Sequence, residues 1–309
     1  LEAGIHLHLL PSSILEAGIH LYLICVFFRP VEPIYALALV ITGAVAGFSS
    51  GMLGVGGCFI MVPIQFWVLT SMGVEPTLAT RISFGTALAV ALPTAVNAAL
   101  GHHRKGAVVT RAALLLGLAG LAGAFIGGAV ASQAPGDLLR TAFGVVVIAA
   151  ALRMVTAPDI EASADPSGIS VPRKGSCYLL LGLPVGFVSG LVGIGGGVIM
   201  VPILSTAMGF GIHRAVGTSS AAIILTSSGG VLSYVYNGLG VPGLPSFSLG
   251  YINLLQVALL AGASIPAARI GVRAAHRLPA ERLRAIFTLV MVYMGLRMMG
   301  AFELFHLPI

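Results

Sequence analysis

Gly47-Phe48-Ser49-Ser50-Gly51-Met52-Leu53-Gly54-Val55-Gly56-Gly57 runs on to Ile60-Met61-Val62-Pro63-Ile64. At a constant offset of 139, Gly186-Phe187-Val188-Ser189-Gly190-Leu191-Val192-Gly193-Ile194-Gly195-Gly196 runs on to Ile199-Met200-Val201-Pro202-Ile203, with 12 of 18 aligned positions identical and no gap. A second echo, Leu152-Arg153-Met154 and Leu296-Arg297-Met298, lies farther along. The chain is therefore read as a repeat, with half one at 34–156, half two at 177–304 and a polar, cytoplasmic linker at 157–176 carrying Pro158, Asp159, Glu161, Asp165, Pro166, Arg173 and Lys174.

Composition sets the medium. Hydrophobic residues make up 57 % of the 309, charged residues 8 %, and mean hydropathy is +1.02. A water-facing surface needs about 25 % charge, so most of this exterior faces lipid. A soluble enzyme, a disordered chain and an ordinary nucleic-acid-binding domain are excluded. The charge-free stretches 33–74, 82–103, 112–136, 175–213 and 215–268 exceed the roughly 20 residues of one crossing, the longer ones by enough for two. Cys25, Cys58 and Cys177 have no metal-ligand or disulfide spacing, so no metal and no cofactor is expected. Leu-Glu-Ala-Gly-Ile-His occurs at 1–6 and again at 15–20. Residues 1–33 are set aside as an N-terminal segment, either an amphipathic surface stretch or an artefactual extension.

Charge placement gives the orientation of the halves. Each half has a glycine segment A followed by apolar segments B, C and D. In half one the B–C loop is basic, His102-His103-Arg104-Lys105-Gly106 with Arg111; in half two it is the C–D loop, Arg269, Arg273, Arg277, Arg282 and Arg284 against Glu281. Basic loops stay on the cytoplasmic side, so loops 102–111 and 269–284 are both expected there, in the inner membrane. Equivalent loops then lie on opposite faces, and the repeats are inverted. Inversion requires an odd number of crossings per half, so segment A must enter and return. The expectation is an all-α polytopic membrane protein of two inverted-topology repeats, each of about five helical segments, with re-entrant glycine-rich helices. The returning arms, 57–72 and 197–209, span only roughly 24 and 20 Å at 1.5 Å per residue.

A helix broken within the membrane exposes backbone polar groups, which is tolerated where the break lines a cavity. The N–H groups opening the second arm suit an anion. Ser50, Gly51, Gly54, Gly56 and Gly57, with Ser189, Gly190, Gly193, Gly195, Gly196 and Gly197, are therefore candidate substrate contacts. The competing reading is that these glycines only pack helices. A dinucleotide fingerprint fails, since Phe59 and Val198 stand where its third glycine belongs. Ser83, Thr218 and Ser219 at the starts of the B segments join the candidates. So does Arg81, an anion ligand or an interfacial residue, and so does Asn97, first among the amides Gln65, Gln256 and Asn237, which otherwise bridge helices. His102 and His103 are assigned to the basic loop, with a proton-coupling role as the alternative. Apart from Glu303 at the end of the last segment, no carboxylate lies within an expected span, which argues against cation transport.

The doubled glycine motif, His102-His103-Arg104-Lys105-Gly106 after segment B and Thr218-Ser219 opening the second B segment resemble the sulfite exporter TauE/SafE family, over nearly the whole chain from about residue 34. The resemblance implies a multi-pass transporter, an exporter of small sulfur-containing anions such as sulfite or organosulfonates. Its partners would be the anion and membrane lipid, without nucleic acid; oligomeric state is left open. Two positions depart from internal symmetry: Cys58 stands opposite Gly197, and Arg81-Ile82-Ser83 opposite Gly217-Thr218-Ser219. The alternatives are a non-transporting scaffold or receptor, and an intramembrane enzyme, for which the sequence offers no nucleophile–base pair or metal-ligand cluster at membrane depth.

Overall fold

The computed structural model describes residues 33–156, 175–275 and 280–301. The N-terminal segment and the linker fall outside these residues, apart from Pro33 and Gly175–Ser176. Contacts divide the chain into residues 1–37 and 38–309. Of the first unit only the opening of one helix is described, and the second holds the helix bundle.

Ten α-helices are present among the described residues: α1 Pro33–Leu53, α2 Cys58–Ser71, α3 Pro76–His103, α4 Thr110–Ala131, α5 Gly136–Thr156, α6 Gly175–Val192, α7 Gly197–Pro202, α8 Ile212–Gly238, α9 Leu254–Ala274 and α10 Ala280–Met298. Six of them, α1, α3, α4, α6, α8 and α9, are long and apolar enough to cross a bilayer. The second arms are short, as expected. In half one α2 is a continuous 14-residue helix. In half two the six-residue α7 loosens at Pro202 into a π-turn, Ile203–Ala207.

Between helices in lipid there is little hydrophobic drive, and close backbone approach takes its place. Gly43, Gly47 and Gly51 stand four residues apart, on one face of α1. A Cβ added to any of them would strike the backbone of Leu260, Ser264 or Ala268 respectively, so α1 and α9 run parallel in close contact. Half two repeats the device: Gly182, Gly186 and Gly190 of α6 press on Leu116, Gly120 and Ala124 of α4. Segment A of each half thus packs on segment C of the other.

The B helices α3 and α8 run antiparallel. Gly85 meets Tyr234, Gly230 meets Leu88, and Gly217 meets His102. Helix α6 is parallel to α4, α4 turns back on α3, and α3 opposes α8, so α6 and α8 run the same way. The chain between them must therefore return on itself, and it does so through α7 and its π-turn.

Each B–C connection covers the start of the other half's B helix. The basic loop after α3 lies against Gly217 through Ala107, and Val109 N–H donates to Thr218 Oγ1 at 3.1 Å. At the other end, the connection after α8 forms a small hairpin, β1 Ser248–Leu249 with β2 Ile252–Asn253, a sheet that the charge-free pattern of this segment does not announce. Its Tyr251 carbonyl covers Gly85, and Asn253 N–H donates to Thr86 Oγ1 at 3.0 Å. Asn253 also caps α9, its Oδ1 accepting from Gln256 N–H at 3.0 Å. The basic loop after α3 and the opening of the second basic segment sit at one end, joined by Gly101 against Val272 and by Arg269 Nε donating to Asn97 Oδ1 at 3.0 Å; Arg277 lies outside the described residues. Glu75 precedes α3 and Asp137 opens α5, whose Gly136 packs on Thr77; both carboxylates lie at the opposite end.

Candidate functional site

Each first arm ends in three left-handed glycines: Gly54, Gly56 and Gly57 at φ of 67°, 85° and 69°, and Gly193, Gly195 and Gly196 at 67°, 78° and 86°. An L side chain is strained in that region, so the Gly-x-Gly-Gly spacing is a backbone requirement in both halves. Gly57 and Gly196 then stand at the N-caps of α2 and α7.

The two breaks meet. A Cβ on Gly197 would lie 2.5 Å from the Gly54 carbonyl oxygen and 2.8 Å from the Val55 carbonyl carbon. Gly56 faces the Ile194 carbonyl oxygen at 3.5 Å, and Gly195 faces Cys58 Sγ at 3.6 Å, both measured from the same ideal Cβ position. The B helices flank the crossing, Ile223 and Ser227 from α8 and Ala91 from α3.

Space separates the glycines by role. At Gly51, Gly54, Gly57, Gly190, Gly193 and Gly197 an added Cβ would collide with backbone or neighbouring side chains, and close packing accounts for them. At Gly56, Gly195 and Gly196 the nearest atoms are 3.4 Å away or more. Packing does not require glycine there. The left-handed backbone does, and their faces meet the crossing at ordinary contact distance.

The hydroxyl candidates divide too. Ser219 Oγ donates to the Gly54 carbonyl at 3.0 Å, tying α8 to the first break. Ser83 Oγ instead bonds its own helix at Ala79 O, 2.7 Å. Thr218 holds the basic loop through Val109 N–H. Ser50 and Ser189 occupy equivalent buried positions, and Ser189 Oγ has no hydrogen-bond partner. Ser227 Oγ, which the sequence reading passes over, is likewise fully buried and unpartnered. Its signal is the polar run Thr226-Ser227-Ser228, two turns beyond Ser219 on an apolar helix.

Arg81 braces the carboxylate-bearing end, its Nη2 donating to Ala134 O at 3.0 Å and its Nη1 to Tyr251 Oη at 3.4 Å. Its guanidinium also lies over the Tyr251 ring, 5.8 Å from the centroid. Asn97 bonds the Pro93 carbonyl and Arg269. Asn237 turns back on Ser233 of its own helix, while Gln65 is buried with neither amide atom partnered. These two amides do not make the helix-bridging bonds expected of them.

His102 departs from its assignment to the loop. It closes α3, is fully buried, and its Nε2 lies 3.0 Å from the Gly51 carbonyl oxygen. In half two the equivalent carbonyl, Gly190 O, accepts from Tyr234 Oη at 3.0 Å. Each first arm is thus held just before its break by a side chain from its own half's B helix.

The sequence profile of the sulfite exporter TauE/SafE family matches residues 39–298. A probable membrane transporter protein of Haemophilus influenzae is 29 % identical over 264 residues, 85 % of this chain and 98 % of that one. A probable membrane transporter protein of Methanocaldococcus jannaschii is 27 % identical over 84 % of this chain and 94 % of its own. The Bacillus subtilis probable membrane transporter protein YunE is 24 % identical over 83 % and 94 %. No solved structure matches. With the profile covering nearly all of the described residues and relatives matched almost end to end, this multi-pass helical membrane transporter belongs to the sulfite exporter TauE/SafE family.

Proposed function

We propose that the protein moves a small sulfur-containing anion, sulfite or an organosulfonate, out across the inner membrane by alternating access, holding it where the two glycine breaks cross. The observation that carries this reading is the crossing itself. Two broken helices bring Gly56 and Gly195, where a Cβ would meet no clash, together between α3 and α8, in an interior whose buried polar side chains include no carboxylate among the described residues. Broken helices at such an interface present backbone N–H groups to an anion without a fixed cation. The scaffold reading is favoured at the six glycines where a Cβ would clash, and Gly56 and Gly195 are not among them.

The inverted orientation belongs to the same proposal. It is supported by the antiparallel course of α3 and α8 and by the gathering of both basic segments at one end, which would be cytoplasmic. Gly106 lies within the basic loop, and Gly243 lies near Leu78 at the other end.

Proteoliposomes loaded with a panel of sulfur oxyanions test transport: protein-dependent flux of at least one is expected, and no flux of any would refute the reading. In cells, cysteines placed at Gly106 and Gly243 are expected to label from opposite sides with an impermeant maleimide. Labelling from one side removes the inverted arrangement.

A further inference from the structure

The two breaks match in backbone but not in the polar atoms around them. Ser189 and Ser227 are each 0 % exposed, and neither Oγ has a partner. Both flank the second break: Ser227 Oγ lies 3.4 Å from the Cβ position of Gly195, and Ser189 Oγ 3.6 Å from that of Gly196. Their counterparts in half one are Ala91, which has no hydroxyl, and Ser50, which is 2 % exposed where Ser189 is fully buried. A buried hydroxyl without a partner is costly, most of all where water is excluded, and calls for a ligand that completes it.

Resting on the transport reading, we propose that the anion sits off the pseudo-symmetry axis, against half two, held by the hydroxyls of Ser189 and Ser227. The surroundings define its chemistry. Ala91 Cβ, Met200 Cε and Cys58 Sγ stand 3.5 to 3.7 Å from the same two glycine positions, so the walls are close and the head group must be compact. Two hydroxyl donors require an acceptor with at least two free lone pairs, which the oxygens of an oxyanion supply. The buried polar side chains among the described residues are hydroxyls, amides and His102, with no carboxylate, so a substrate ammonium group would find no counter-charge. The ligand class is a compact oxyanion without a cationic substituent. An aminosulfonate is rejected, because its ammonium would be desolvated without a partner. Cys58, whose Sγ lies 3.6 Å from the carbonyl oxygens of both Gly56 and Ala87, forms part of the wall. Its position in half two admits no side chain, since a Cβ on Gly197 would meet Gly54 O, Ile223 and Val55.

The test is equilibrium binding of sulfite, kept anaerobic, to the full chain in lipid nanodiscs, with Ser189→Ala, Ser227→Ala and Ser50→Ala compared. Ser189→Ala and Ser227→Ala are each expected to raise Kd by about tenfold or more, as for loss of a hydrogen bond to a charged group, and Ser50→Ala by less than about twofold. Without ligand, Ser227→Ala is expected to melt no lower than wild type, since it removes an unpartnered hydroxyl. Taurine in excess is expected not to compete. If wild type binds sulfite while both alanine variants stay within about twofold of it, the off-axis site is wrong and the transport reading stands. Competition by taurine removes the ligand class. If wild type binds neither sulfite nor any other sulfur oxyanion, the transport reading falls and the site with it.

Discussion

The first and second breaks are copies in backbone and strangers in side chain. Three left-handed glycines recur in the same order at nearly the same φ, and the same four-residue glycine ladder leads into each. Around that frame, Cys58 replaces Gly197, His102 does the work of Tyr234, and Ser227 has only Ala91 opposite. What the halves share is what lets a helix stop and return inside a bundle. What differs is what a bound anion or a neighbouring carbonyl would feel, so the symmetric part serves the fold and the asymmetric part is where the proposed ligand selection lies.

That division is most sharply tested on the ladder. Gly47→Leu and Gly186→Leu drive a side chain into the backbone of Ser264 and of Gly120 respectively. Overpacking of this kind costs about 1–3 kcal/mol or more, so both variants are expected to lose monodisperse protein on size exclusion, to a similar extent. Tolerance in one half alone would break the symmetry of the frame.

The next effect lies at the arm ends. Tyr234→Phe removes the donor to Gly190 O and His102→Phe the donor to Gly51 O. Leaving a buried carbonyl unpartnered costs about 1–3 kcal/mol, and thermal unfolding in detergent is expected to register a loss for each. An unchanged melting temperature in either would mean that its arm is not held there.

The smallest effect concerns the starts of the B helices. Glu75 caps α3, accepting from Thr77 N–H at 3.0 Å and Leu78 N–H at 2.8 Å. Gly211 stands at the same place on α8 with similar backbone angles and no side-chain cap. Glu75→Ala is expected to cost about 1 kcal/mol and Gly211→Asp to gain a comparable or smaller amount. The N–H groups of Thr77 and Leu78, aided by Arg81, hold the Glu75 carboxyl below its ordinary range. Its contribution is therefore present above the unfolded carboxylate pKa and lost as pH falls through the lower folded one. The stability difference between wild type and Glu75→Ala should shrink on acidification across that window. A difference that stays constant on acidification contradicts the cap.

Much of this frame was legible in the residues. The doubled motif announced the breaks, because an offset that returns Gly-x-Gly-Gly after equal lengths of apolar chain leaves few other readings, and the short arms followed from counting residues to the next charge. The partner of each ladder was not legible. Gly43, Gly47 and Gly51 declare a face but not what covers it, and the answer lies in the other half. His102 looked like loop because Arg104 and Lys105 follow within three residues, yet helix α3 runs on to His103 and buries it. Ser227 was hidden by being ordinary, a hydroxyl on an apolar helix that usually bonds its own backbone. Only the missing bond marks it.

The exchange of partners between halves also sets the chronology of assembly. Helix α6 finds its seat already made, since Leu116, Gly120 and Ala124 leave the ribosome before Gly182, Gly186 and Gly190. Helix α1 has no such luck: the backbone that fills its glycine face, at Leu260, Ser264 and Ala268, lies more than 200 residues farther along the chain. The nascent protein therefore carries an unfilled glycine groove until α9 follows to close it. A chain truncated before α9 would leave α1 open to lipid and to the quality-control proteases that survey it.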